Sequence, residues 1–252
     1  MSAEKSLAIV LRTIDFSETS VVVTLFTEGF GKISALAKGA RRPKGPFESA
    51  LDLLSVIRIV FLHKSSDALD LLTEAKLERR FRAGSRDLAR LYAGYYVAEL
   101  LTELTDQGDP HPELFQAARR TLAELDGEAS VAATILRFEL TALRLLGHLP
   151  SLEDCVGCGV AVKSAGRVAF GQMAGGVLCP DCRAGHRQVV SVSAAALEAM
   201  RRTTEATEDE WNDLELEPNI RGELRGVLNN YVAHLLGHRP RMHDYLKIMT
   251  AT

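Results

Sequence analysis

Over the first 80 residues, apolar and β-branched positions come in short runs separated by glycine and charge. Val21–Thr27 reads Val-Val-Val-Thr-Leu-Phe-Thr, and the turn formers Gly29-Phe30-Gly31 follow directly, which predicts a strand and a tight turn. Ile33–Lys38 and Leu53–Leu62 are two further strand candidates, the second strengthened by Val56, Ile57, Ile59, Val60 and Phe61. Leu69–Leu77 is a further segment whose leucine and alanine content suits a strand or a helix. Four or five short strands in about 80 residues predict a small barrel.

The period changes after Gly84. Leu88, Leu91, Tyr95, Ala98 and Leu101 recur at spacings of three and four, as one face of a helix does. A second helix is predicted over Leu114–Leu125, started by Asp109-Pro110 and stopped by Asp126-Gly127. Leu136, Leu140, Leu143 and Leu146 form a third stripe, closed by Gly147 and Pro150. Such helices bury their stripes against one another. From Ser151 to about Val190 there is little periodicity. Ala194–Thr203 then reads as a helix, and Leu224, Val227, Leu228, Tyr231 and Leu235 mark a last long one. The fold class is therefore α+β. The expected organisation is a barrel over 1–80, helices over 81–150, a cysteine module over 151–190 and C-terminal helices over 191–252.

Composition agrees with a folded chain: of 252 residues, 46 % are hydrophobic and 25 % charged, too apolar for a disordered polymer. The longest stretches without Asp, Glu, Lys or Arg, Val168–Pro180 and Gly226–His238, are short of the roughly 18–20 apolar residues that a spanning helix needs. Leu7–Leu11 is too brief for a secretory signal. A soluble, cytoplasmic protein without a membrane partner is expected. Formal net charge is only −3, but it is segregated. Residues 30–64 hold seven Lys or Arg and two acids, whereas residues 205–217 hold seven acids and no base. The acidic run reads as a solvated loop.

All four cysteines fall in one short segment, as Cys155-Val-Gly-Cys158 and Cys179-Pro-Asp-Cys182, with 20 residues between the pairs. Two C-x-x-C knuckles at that distance are a strong zinc signature, because each turns two thiolates toward one point and together they complete a tetrahedron. Four thiolates leave no open position for water, so the expected Zn2+ site is structural. As in zinc-finger peptides, its metal would supply about 10–16 kcal/mol of local folding energy. Lys163, Arg167, Arg183 and Arg187 are candidates to offset the charge of such a centre. Redox chemistry of the thioredoxin kind needs one such motif at a helix start rather than two paired knuckles.

Lys32, Lys38, Arg41, Arg42 and Lys44 lie on or beside two glycine-flanked turns of the predicted barrel. Cations placed this way reach successive phosphates without reading bases, and Phe30 and Phe47 are the rings available for stacking. A plain solvated basic loop has the same composition. No Walker loop, G-x-G-x-x-G, G-x-S-x-G or H-E-x-x-H motif occurs, so the sequence gives no indication of an enzyme.

Ser17-Glu-Thr-Ser20, Leu25-Phe-Thr-Glu28, Gly31-Lys32 and Ala37-Lys-Gly-Ala-Arg-Arg42 together resemble the N-terminal part of the bacterial recombination-mediator family RecO. The resemblance continues through Phe138-Glu-Leu140, Leu145-Leu-Gly147, Pro150, the two cysteine pairs, Gly175-Gly176 and Gly237-His-Arg-Pro-Arg-Met242. It implies an N-terminal OB-fold, a helical domain and an embedded four-cysteine zinc module. It further implies binding and annealing of single- and double-stranded DNA, partnership with RecR, and help for RecA in displacing single-strand-binding protein, with association with the nucleoid during repair. By motif position Lys32, Lys38, Arg41 and Arg42 take the DNA-contact role, followed by Lys44 and Arg58. Pro43-Lys-Gly-Pro46 departs from the family pattern, in which a serine commonly follows the basic run. An RNA-binding or transcription-linked zinc protein and a helical scaffold that does not bind DNA are the alternatives.

Overall fold

The first strand shapes the N-terminal half. In the computed structural model, which describes residues 2–42, 47, 50–63, 69–205 and 216–245, β1 (Ser2–Asp15) is long enough to serve two neighbours. Ser2–Ile9 pair with β4 (Val56–His63), and Ala8–Asp15 pair with β2 (Val21–Thr27). The register slips between Val10 and Arg12, and such a bulge bends a strand around a barrel. β3 (Gly31–Ala37) continues antiparallel from β2, and β5 (Asp70–Arg79) closes the ring by pairing parallel with β3 and antiparallel with β4. The order is β1-β2-β3-β5-β4, a closed five-stranded barrel of the OB type.

Alternation along the strands sends Val21, Val23, Leu25, Ile33, Ala35, Ile57, Ile59 and Phe61 inward. Phe47 and Ala50, from the connection between β3 and β4, join the same core. Phe30 packs edge-on to Phe61 at 5.2 Å between ring centroids. Lys44 with both flanking prolines, Lys64, and residues 206–215 of the acidic run lie outside the described residues.

The chain forms two compact units, the first ending at Phe138 and also taking in Asp244, the second running Glu139–His243. In the first, α1 (Leu88–Leu104) starts at Asp87, whose carboxylate accepts the N–H groups of Ala89 and Arg90. Its buried face is Ala89, Ala93, Tyr96, Val97, Leu100 and Leu101, while Leu88 is exposed. Of the predicted stripe, Ala98 and Leu101 are buried, Leu91 and Tyr95 are half-buried, and only Leu88 is exposed. The buried face of α1 includes Ala89, Ala93 and Gly94, small residues that a search for large apolar side chains passes over. α2 (Pro112–Asp126) buries Leu114, Phe115, Ala118 and Leu122. Its Phe115 lies 6.3 Å from Phe26 of the barrel. At its end Asp126 accepts from Arg79 and from the N–H groups of Arg82 and Ala83, tying the barrel's exit to the helix. α3 (Val131–Leu145) buries Leu136, Leu140 and Leu143 as predicted.

The second unit contains a sheet that hydrophobic period did not predict. β6 (Arg167–Gly171) lies between β7 (Gly176–Leu178) and β8 (Val189–Ser193), all antiparallel. The short turn α4 (Pro180–Arg183) follows β7, and α5 (Ala194–Glu205) and α6 (Pro218–Leu236) come after the sheet. Phe170, Val177, Val192, Leu197, Met200, Leu224 and Leu228 make its core. Glu139, fully buried, receives both arms of the Arg225 guanidinium, and the Tyr231 hydroxyl donates to the His148 carbonyl at 2.7 Å. Among the described residues no helix is long and apolar enough to cross a membrane.

Candidate nucleic-acid interface and metal centre

Strand register brings the basic turn and the β1–β2 turn to one rim of the barrel. Asp15 pairs with Val21, and Val21 pairs with Ala37, so the chain leaves β1, enters β2 and leaves β3 at the same end. Lys38, Arg41 and Arg42 follow Ala37 and are all exposed. The Arg42 N–H donates to the Gly39 carbonyl, closing the turn. Arg41 stitches this turn to its neighbour. Its N–H donates to the Thr19 carbonyl at 3.1 Å, and its guanidinium reaches the Ser17 carbonyl at 3.4 Å and the Asp15 carboxylate at 3.1 Å. With the Arg41 side chain 46 % exposed, that pairing leaves it open to solvent and to anions.

Lys32 has a different place. It is the second residue of β3, at the strand's opposite end, and is 8 % exposed. Its ammonium donates to the carbonyls of Thr102 and Thr105, at the C-terminal end of α1 where helix carbonyls lack partners and the dipole is negative. Burial lowers its pKa, against the pull of Asp106 and Glu103. Its neighbour Gly31 has φ +64°, and a Cβ there would stand 2.1 Å from the Asp109 carbonyl oxygen. The Gly31-Lys32 pair therefore reads as the seat of the barrel against the α1–α2 connection, not as part of the exposed rim. Arg58 is exposed but sits apart on β4, opposite Leu7 of β1, where it pairs with Glu78 at 2.9 Å. It lines a cleft of about 550 Å³ with Arg79, Arg119 and Arg120 of the same unit.

The two rings expected to stack belong to the core. Phe47 is 3 % exposed and Phe30 leans on Phe61. Among the described residues of the barrel, the exposed ring is Phe16, in the β1–β2 turn, at 63 %. An apolar residue set among Asp15, Ser17, Glu18 and Thr19 was the available signal.

In the second unit the four cysteines converge. All four Sγ atoms lie within 4.8 Å of one another, and Cys158 and Cys179 are 3.7 Å apart. A tetrahedral Zn–S4 centre with bonds of about 2.3 Å has S···S edges of about 3.8 Å. The first knuckle is shaped by the Cys155 N–H donating to the Val160 carbonyl and the Gly159 N–H donating to the Cys155 carbonyl. A Cβ on Gly157 would come 3.0 Å from the Cys182 sulfur, so a larger residue there would have to push the sulfur aside by a few tenths of an ångström. The Cys179 N–H donates to the Cys155 sulfur at 3.3 Å and is the chief reason that thiol is held down to about 6. Hydrogen bonding with Cys179, then with Cys158, pushes Cys182 up to about 12. The cluster gives up one proton readily and keeps others until a cation offsets the thiolate charge. These residues fit a metal ion. Of the basic residues expected nearby, Arg167 is engaged by Glu223 at 2.9 Å and by Ser191.

An OB-fold barrel with an exposed basic rim, followed by helices and a four-cysteine centre, defines a class of two-part α+β protein. Residues 1–81 match the family described as Recombination protein O N terminal, and residues 85–244 match Recombination protein O C terminal. The chain belongs to the RecO family. It is 45 % identical to the DNA repair protein RecO of Rhodopirellula baltica, over 95 % of this chain and 97 % of that one. It is 33 % identical to that of Myxococcus xanthus over 95 % of each chain, and 34 % identical to that of Anaeromyxobacter dehalogenans over 98 % and 96 %.

Proposed function

We propose that this protein is a non-enzymatic recombination mediator in DNA repair, working in the cytoplasm and on the nucleoid. It binds single- and double-stranded DNA, anneals complementary strands and, with RecR, helps load RecA onto DNA covered by single-strand-binding protein. The observation that carries the DNA-binding part is the exposed cluster Lys38, Arg41 and Arg42 on one rim of an OB-fold. Two polyanions repel, so bringing strands together requires neutralised phosphates, and an exposed row of cations supplies that without reading sequence. Lys44 extends the same basic run in sequence, and Arg58 acts from its own cleft. Lys32 contributes by seating the barrel, because its ammonium is already satisfied by two carbonyls.

Cys155, Cys158, Cys179 and Cys182 hold a structural Zn2+ whose chemistry is to cross-link the two knuckles. The relatives' shared name, DNA repair protein RecO, supports the assignment to repair. The test is binding and annealing of labelled complementary single strands across a salt series. With four to six phosphates neutralised, log K falls with log salt at a slope of about −3 to −4 for single strands. Absence of binding at low salt overturns the reading. RecR added to DNA covered by single-strand-binding protein then tests the mediator step, which predicts faster RecA assembly.

A further inference from the structure

Phe16 stands out once the rim is assembled. At 63 % it is the most exposed large apolar side chain among the described residues. Tyr245, also exposed, has a partner ring in Tyr92 at 4.5 Å. Ile14, two residues back on β1, is also exposed, at 45 %. The turn that presents Phe16 is fixed: the Phe16 and Ser17 N–H groups both donate to the Ser20 carbonyl, and the Ser20 N–H donates to the Ser17 hydroxyl. A ring on a rigid turn loses little freedom when it binds something.

The cations say what that partner is. Arg41 is hydrogen-bonded or ion-paired to Asp15, Ser17 and Thr19, on both sides of Phe16 in the chain. The turn that carries the exposed ring is therefore tied by hydrogen bonds and an ion pair to the turn that carries Lys38, Arg41 and Arg42. A ligand that offers both a flat apolar face and negative charge matches an aromatic ring and cations on two adjoining turns, and an unpaired nucleotide does so. The connection between the first two strands is also where OB-folds commonly take hold of oligonucleotides. Paired bases are already stacked on their neighbours and present only edges and phosphates, so duplex DNA uses the cations and not the ring.

We infer that Phe16 is a base-stacking residue that makes the rim prefer unpaired DNA. The inference rests on the DNA-binding reading above and adds a determinant that charge alone does not supply. Stacking is insensitive to salt, so it separates from phosphate contact in one experiment. Full-length wild type, Phe16→Ala, Phe16→Leu and Phe16→Trp are titrated with a labelled oligothymidine and with a duplex, each at several salt concentrations. Phe16→Ala and Phe16→Leu are expected to bind the single strand about tenfold more weakly than wild type, with an unchanged salt slope and unchanged duplex affinity. Phe16→Trp is expected to keep wild-type affinity, with indole emission quenched by the single strand. Because Phe16 is exposed, all three variants should melt as wild type does.

Wild-type single-strand affinity in both Phe16→Ala and Phe16→Leu overturns the inference while leaving DNA binding intact. An equal loss on duplex, or a Leu variant that binds like wild type, also overturns it and points to plain apolar or protein contact. If wild type itself binds neither DNA, the DNA-binding reading falls first.

Discussion

Lys32 is the second residue of strand β3 and Lys38 follows its last, about 20 Å away along the strand. Both come shortly after or before a glycine in a basic stretch, and in the sequence both look equally suited to meet phosphate. In the fold Lys32 is 8 % exposed, with its ammonium spent on two carbonyls at the end of α1, while Lys38 lies open beside Arg41 and Arg42. Charge in a sequence is thus a poor guide to charge on a surface. What decides is the neighbour that topology brings to each end: a helix terminus at one, a solvent-facing turn at the other.

The largest effect should come from the buried end. Gly31→Val places a side chain against the Asp109 backbone at a residue with φ +64°. It should cost more than about 3 kcal/mol, read as a lower denaturation midpoint. Next, neutralising the open end with Lys38→Ala, Arg41→Ala and Arg42→Ala removes about three phosphate contacts. Single-strand affinity near 0.1 M salt should fall about 100-fold, with a salt slope smaller by about 2 in a titration series. Lys32→Met should lower stability by about 2 kcal/mol, by stranding two helix carbonyls, and leave the salt slope as it is. Arg58→Ala, in a separate cleft, should weaken binding by no more than about fivefold, the share of one phosphate.

A smaller, pH-dependent signal also separates the ends. Burial lowers the Lys32 pKa below its ordinary 10.5, so the unfolded chain holds that proton more tightly than the folded one. As pH rises from the lowered value toward 10.5, wild type should gain stability relative to Lys32→Met, and below that window the difference should be flat. Denaturant titrations at a series of alkaline pH values measure it.

Much of the architecture was legible because its signals are local. The β-branched run Val21–Thr27 and the stripe Leu136–Leu140–Leu143 announce their elements through period alone, and the paired C-x-x-C spacing names four residues that the fold brings within 4.8 Å. What escaped depends on contacts distant in sequence. The sheet β6–β8 is built of strands of three and five residues broken by glycine, too short to show a period. The buried side of α1 is marked by Ala89 and Ala93, whose smallness matters only once something packs there. Phe30 and Phe47 looked like stacking rings, but the barrel interior has a stronger claim on them than its rim. Phe16 gives no periodic signal, being a single ring among polar residues. Its exposure follows from the turn that holds it.

The central claim is that one rim of the barrel, and not basic charge in general, holds DNA. It is tested most directly by measuring the salt dependence of single-strand binding for wild type, the Lys38/Arg41/Arg42→Ala variant and Lys32→Met side by side. The account predicts a slope of about −3 to −4 for wild type and for Lys32→Met, and about −1 to −2 for the rim variant. A rim variant that keeps the wild-type slope, or a Lys32→Met protein that folds and loses it, would contradict the account.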